Sequence, residues 1–118
     1  MEPELDRRVL DQILSLCATD PGFFVELVDT YERSATQHLV ALRGCVDASD
    51  LEGTRQRAHA LKGSSRNIGA SGAGKLAAAI EEAAVAGRAA ADGSVEALVR
   101  VIEASIGALR RVGANPTL

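Results

Sequence analysis

Residues 58–70 read AHALKGSSRNIGA. His59, Lys62 and Gly63 stand at i, i+3 and i+4, so on a helix they share one face. A neutral imidazole keeps a lone pair on one ring nitrogen, which makes it a competent nucleophile towards an activated phosphoryl group. A lysine one turn away can hold the transferred phosphate as a point charge. A glycine beside them leaves space for another molecule's reacting centre to approach the ring. The stretch is costly for a helix: an interior Gly loses about 0.8–1 kcal/mol relative to Ala, and each Ser about half a kcal/mol. A helix chosen for stability alone would not carry Lys-Gly-Ser-Ser near its end.

The apolar stripe of this helix includes Ala58, Leu61, Ser65 and Ile68. His59 lies about 200° from Leu61 at about 100° per residue, and therefore faces away from the core. Arg55 and Gln56 precede it by one turn and Arg66 follows by two, giving a small polar and basic face that is the candidate partner-binding surface. Taken alone, an exposed histidine is most often only a surface residue. A second acidic position adds to it. His59 is ten residues before Gly69, and Glu81 is about ten residues into the following helix, so both stand about 15 Å from the intervening turn. A carboxylate there can accept a hydrogen bond from Nδ1–H, fix the tautomer and leave Nε2 free. The bland reading of Glu81 is a surface acid beside Glu82.

These residues need a scaffold, and the apolar spacing predicts helices almost throughout with no convincing strand alternation. Five are expected. The first spans about 4–17 with Leu5, Val9, Ile13, Leu16 and Cys17 on one side. The second spans about 21–47, with Asp20 as N-cap, Pro21 at the first position, and a stripe of Phe24, Leu27, Tyr31, Ala35, Leu39, Leu42 and Val46. The third, about 50–68, opens with a capping box of Ser49 and Glu52. The fourth, about 72–86, is capped by Ser71 and buries Ala73, Leu76, Ala77, Ile80 and Ala84. The fifth, about 94–111, carries Val95, Leu98, Ile102, Ile106 and Leu109, and a tail over 113–118 is expected to fray. Short connections imply antiparallel neighbours. The expected fold is all-α: an antiparallel up-down four-helix bundle with an additional short N-terminal helix, forming one domain over 1–118.

Composition narrows the function classes. The chain of 118 residues is 47% apolar but only 3% aromatic, which suits closely packed aliphatic helices. A net charge of −3 argues against a nucleic-acid binder. No apolar run approaches the roughly 20 residues of a membrane span, and the charged start has no signal-peptide pattern. Cys17 and Cys45 lack metal-ligand spacing and read as reduced core thiols, so the expected compartment is cytoplasmic. The segment GASGAGK, 69–75, lacks the full GxxxxGK[ST] pattern and a preceding strand, and reads as a turn and helix start. His38 reads as a core-edge histidine. Arg7, Arg8, Arg110 and Arg111 read as solvated terminal charges, and Gly72 and Gly74 are unusual choices for the start of a helix.

His59, Leu61, Lys62, Gly63, Ser64 and Ser65, then Gly69-Ala70 and the pair Ile80-Glu81, together resemble the signature of the histidine-containing phosphotransfer (HPt) domain. The resemblance is strongest over about 50–87, and the helix layout extends it over most of the chain. It implies a bundle that works in multistep His–Asp phosphorelays. His59 would be the phosphoacceptor through Nε2, Lys62 would support the phosphate, Gly63 would give clearance and Glu81 would orient the imidazole. The implied partners are response-regulator receiver domains and a histidine kinase or hybrid kinase, with no nucleic acid and no membrane. The chain itself would need no cofactor, the Mg²⁺ of transfer belonging to the receiver. It would be a phosphocarrier without catalytic turnover of its own, and a monomer is the expectation. Two other readings stay open on the residues: a receiver-binding adaptor whose His59 is never phosphorylated, and a small enzyme using His59 and Glu81 as a base pair.

Overall fold

A computed structural model describes residues 2–115. It is all-helical, with five helices and no strand among the described residues: α1 Arg7–Leu16, α2 Pro21–Asp47, α3 Leu51–Asn67, α4 Ser71–Val85 and α5 Ser94–Ala114. Pro21 sets the first turn of α2, where its missing N–H costs nothing. Asp20 is the N-cap residue, but its side chain makes no capping bond. α3 packs on α4 and α2, and α5 closes the circuit against α2 and α4. The aliphatic stripes meet inside that ring, where Leu42, Leu61, Leu98 and Leu109 are fully buried with Ala58, Ala73 and Ala77. Alanine-rich facing stripes let the axes of α3 and α4 come close, and these two make the most extensive contact in the molecule. No helix is long and apolar enough to cross a membrane among the described residues.

The N-terminus differs from expectation. α1 starts at Arg7, not at residue 4, and Asp6 caps it by accepting from the backbone N–H groups of Arg8 and Val9. Residues 4–6 are instead a strap across the α3–α4 turn. The Asp6 N–H donates to the Gly69 carbonyl at 2.7 Å, and the Gly72 N–H donates to the Glu4 carbonyl at 3.0 Å. Lys75 adds an ion pair to Glu4. Leu10, 1% exposed, is the buried anchor of α1, whereas Leu16 of the expected stripe is 80% exposed.

Two expected caps are also corrected. Ser49 and Glu52 form no capping box: Ser49 sits at φ 57°, outside the helix, and Asp50 is the N-cap, accepting from the Gly53 N–H at 2.9 Å. Ser71 does not cap α4. Ala70 holds that position without a side-chain bond, and the strap's Glu4 carbonyl takes one of the orphan N–H groups instead. Gly72 and Gly74 follow from this packing. A Cβ at Gly72 would stand 3.2 Å from Glu4 Cβ, and one at Gly74 would stand 2.9 Å from Arg66 Cγ. Gly69, at φ 85°, ends α3 in the left-handed conformation under the strap.

α5 runs on to Ala114, past the expected start of fraying, and the rest of that tail, 116–118, lies outside the described residues. Arg110 is no mere solvated charge: it joins α5 to α2 through Asp29 and Glu32, each at 3.0 Å. Cys17 is buried and Cys45 half-buried, both as free thiols.

Candidate functional site

α3 turns Ala58, Leu61 and Ser65 into the core, and its 3.6-residue period therefore carries His59 outward. Its rotational setting is pinned from α2 by a buried hydrogen bond between the Tyr31 hydroxyl and Ser65 Oγ, 2.7 Å long. That bond explains the polar residue in the α3 stripe. Burial raises the Tyr31 phenol above its ordinary value, with the Ser65 bond opposing in part.

α3 and α4 run in opposite directions about a turn at Ala70, which sets Arg66 against Gly74 and His59 against Glu81. Nδ1 of His59 lies 2.6 Å from Glu81 Oε2. A carboxylate oxygen only accepts, so Nδ1 carries the proton and the lone pair of the neutral ring is on Nε2. The other oxygen, Oε1, takes Lys62 Nζ at 2.5 Å. Exposure grades across the group: the His59 side chain is 63% exposed, that of Lys62 23% and that of Glu81 12%. The nucleophile is thus presented while its support is sheltered in the α3–α4 seam. Burial pushes the Glu81 carboxyl up, but hydrogen bonds and charge from Lys62 and His59 outweigh it and hold Glu81 below the ordinary carboxylate value. The group stays ionised at neutral pH.

The face around His59 is assembled as the spacing predicts. A Cβ placed at Gly63 would meet no atom within 4 Å, so nothing inside the chain requires glycine there. Arg55 donates to both oxygens of Glu52, at 3.0 and 2.6 Å, and Gln56 donates to the same carboxylate at 3.3 Å. Arg66 is exposed, its stem lying over Gly74. Two members of this face were not among the sequence candidates. Glu52 fixes the Arg55 fork, and Val85, 69% exposed, stands one turn beyond Glu81 on α4. Both were readable in principle, as i+3 and i+4 neighbours of residues already singled out.

The remaining sequence features stay apart from His59. His38 is half-buried on α2 with Arg57 Nη1 3.3 Å from its Nδ1. Burial first, and the Arg57 charge second, lower the His38 imidazole below its ordinary value. Lys75 of the glycine-rich stretch is engaged with Glu4. Among the described residues, no three His, Cys, Asp or Glu side chains converge as a metal cluster. The geometry suits a docked nucleophile that works against another molecule's electrophile.

The sequence model of the Hpt domain matches residues 26–112. Among solved structures, the chain is similar to histidine-containing phosphotransfer protein B (HptB) from Pseudomonas aeruginosa PAO1, at 26% identity and a TM-score of 0.71. That match covers 98% of this chain and 96% of the other. No curated protein matches.

Proposed function

Because the chain belongs to the Hpt domain family, whose members are phosphocarriers in phosphorelays, we propose that His59 is its phosphoacceptor in a multistep His–Asp relay. The observation that carries this reading is the exposed imidazole whose Nδ1–H is committed to Glu81 at 2.6 Å, leaving the Nε2 lone pair outward. In the step, Nε2 attacks the phosphorus of a receiver's aspartyl phosphate. The N–P bond forms, the P–O bond to the aspartate breaks, and the carboxylate departs with the electron pair. The Nδ1 proton stays in its bond to Glu81. Transfer onward is the reverse attack by another receiver's aspartate.

The same reading gives the other residues their parts. Gly63 supplies clearance for the receiver's active site, and the resemblance assigns Lys62 to phosphate support. Arg55, Gln56, Arg66 and Val85 furnish the docking rim. The scaffold is an antiparallel four-helix bundle, α2 to α5, with α1 as the extra short helix, acting as a cytoplasmic monomer. Mg²⁺ belongs to the receiver, whose site would supply most of the rate by alignment and charge. The chain turns over no substrate of its own.

The test is transfer from a panel of phosphorylated receivers and active histidine kinases to the chain and to His59→Gln. Expected is acid-labile, base-stable label near one per chain, absent from the variant. Binding of receivers without label would point to an adaptor, and turnover of a small substrate to an enzyme. Label retained in the variant would move the site elsewhere.

A further inference from the structure

The helices contact one another in the cyclic order α2, α3, α4, α5, so the α2–α5 seam lies across the bundle from the α3–α4 seam that carries His59 and Glu81. Side chains do not close it. A groove of about 480 Å³ runs between the two helices, from Glu32 to Arg43 on α2 and from Val95 to Ile106 on α5. At about 1.5 Å per residue either wall is about 16 Å long, or three turns of helix. Its lining includes buried Val95, Ile102 and Ile106 and half-buried Leu39 and Val99, while Val40 is 71% exposed. The rim stays acidic after its ion pairs are counted. Arg110 is shared by Asp29 and Glu32, and Arg43 by Asp47 and Glu96, so one carboxylate charge is left over at each end. Glu103, between these ends on α5, is exposed and pairs with no cation among the described residues; Arg100, one turn away on the same helix, does not reach it.

We propose that this groove docks a basic amphipathic helix of a partner protein. Two helices side by side leave a furrow that a third helix fills with apolar residues at i, i+3 or i+4, and i+7. Three turns is the length that such a set needs. Lysines or arginines flanking it meet the carboxylate charges that the chain leaves unneutralised. A second copy of the chain would bring the same acidic rim against itself, and an anionic lipid surface would meet it with like charge. An interface this short gives weak, reversible binding in the micromolar range. A helix seated there leaves His59 open on the opposite side, so the chain can be held by one partner while its imidazole faces another.

Titration of the ¹⁵N-labelled full chain with a synthetic peptide tests this. The probe has leucines at i, i+3, i+4 and i+7 with lysines on the flanks, and its twin carries glutamates in place of the lysines. The lysine peptide should shift amides confined to 32–43 and 95–106, and the twin should bind at least about tenfold more weakly. Glu103→Lys and Val40→Ser should each lose affinity for the lysine peptide on the order of tenfold. Both positions are exposed, so both variants keep the fold. No shift with the lysine peptide up to about 1 mM, equal affinity for the two peptides, or shifts centred on His59 and Glu81 overturns the proposal. A dimer in sedimentation that Val40→Ser dissolves also overturns it and gives the groove to a second copy. Binding to phosphatidylglycerol vesicles that Val40→Ser abolishes overturns it in favour of lipid.

Discussion

Gly63 separates the demands of folding from those of docking. A methyl group there would meet open space, and Gly63 is in the body of α3 at a φ that other residues accept. Gly63→Ala should therefore stabilise the chain by about 0.5–1 kcal/mol, seen as a higher denaturation midpoint. It should also slow transfer from a receiver on the order of tenfold, since small misplacements of the reacting atoms are expensive. A variant more stable and equally fast would remove the clearance role. At this scale much of the site was legible before the structure. The i, i+3 and i+4 spacing put His59, Lys62 and Gly63 on one face, and counting from the turn brought Glu81 level with His59. The Lys62–Glu81 pair was not legible, because a four-carbon arm reaches either a phosphate above the ring or a carboxylate beside it. Ser65 was assigned to the core without a reason for its hydroxyl, because its partner Tyr31 is 34 residues away on another helix.

For whole elements, what was readable tracks how local the controlling interaction is. α2 has the expected bounds because Pro21 fixes its start and an uninterrupted stripe carries it to Asp47. α1 starts three residues late because its first residues are claimed by the α3–α4 turn, more than sixty positions distant, through the Asp6–Gly69 and Glu4–Gly72 bonds. No periodicity in residues 4–17 contains that information. The same strap explains why α4 needs no side-chain cap and why glycine stands at 72, whereas Gly74 makes room for Arg66 of α3. The start of α3 was misread by a single residue, between two adjacent capping types. Asp50→Ala should cost about 1 kcal/mol, because it removes the acceptor of the Gly53 N–H. Ser49→Ala should change stability by less than about 0.5 kcal/mol, because Ser49 lies outside the helix at φ 57°. Urea midpoints of the two variants check this directly, and a larger loss at Ser49 would restore the capping box.

Over the whole molecule, the shifted groups bracket a pH window in which the fold is most stable. Tyr31 is raised above its ordinary 10.0, chiefly by burial. The unfolded chain therefore ionises first, and stability falls as pH rises past about 10. His38 is lowered below its ordinary 6.5, by burial and then by Arg57. The unfolded chain then takes a proton first, so stability declines as pH falls below about 6.5 and levels off once the folded imidazole is also charged. Glu81 is lowered below its ordinary 4.5, burial being outweighed by Lys62 and His59. Its contribution is present above about 4.5 and is lost as pH falls through its folded value. These three signs follow from one rule: stability is lost towards the side where the unfolded chain changes protonation first. Denaturant midpoints measured across pH should be flattest between the His38 and Tyr31 limbs and decline on both sides. Tyr31→Phe should remove the alkaline decline while losing stability at every pH, because Ser65 Oγ is left buried without a partner. His38→Gln should remove the first acid step and leave the second. Glu81→Gln should reduce the second. An alkaline limb that persists in Tyr31→Phe would show that another group controls it, and would separate the α2–α3 hydrogen bond from the pH response of the fold.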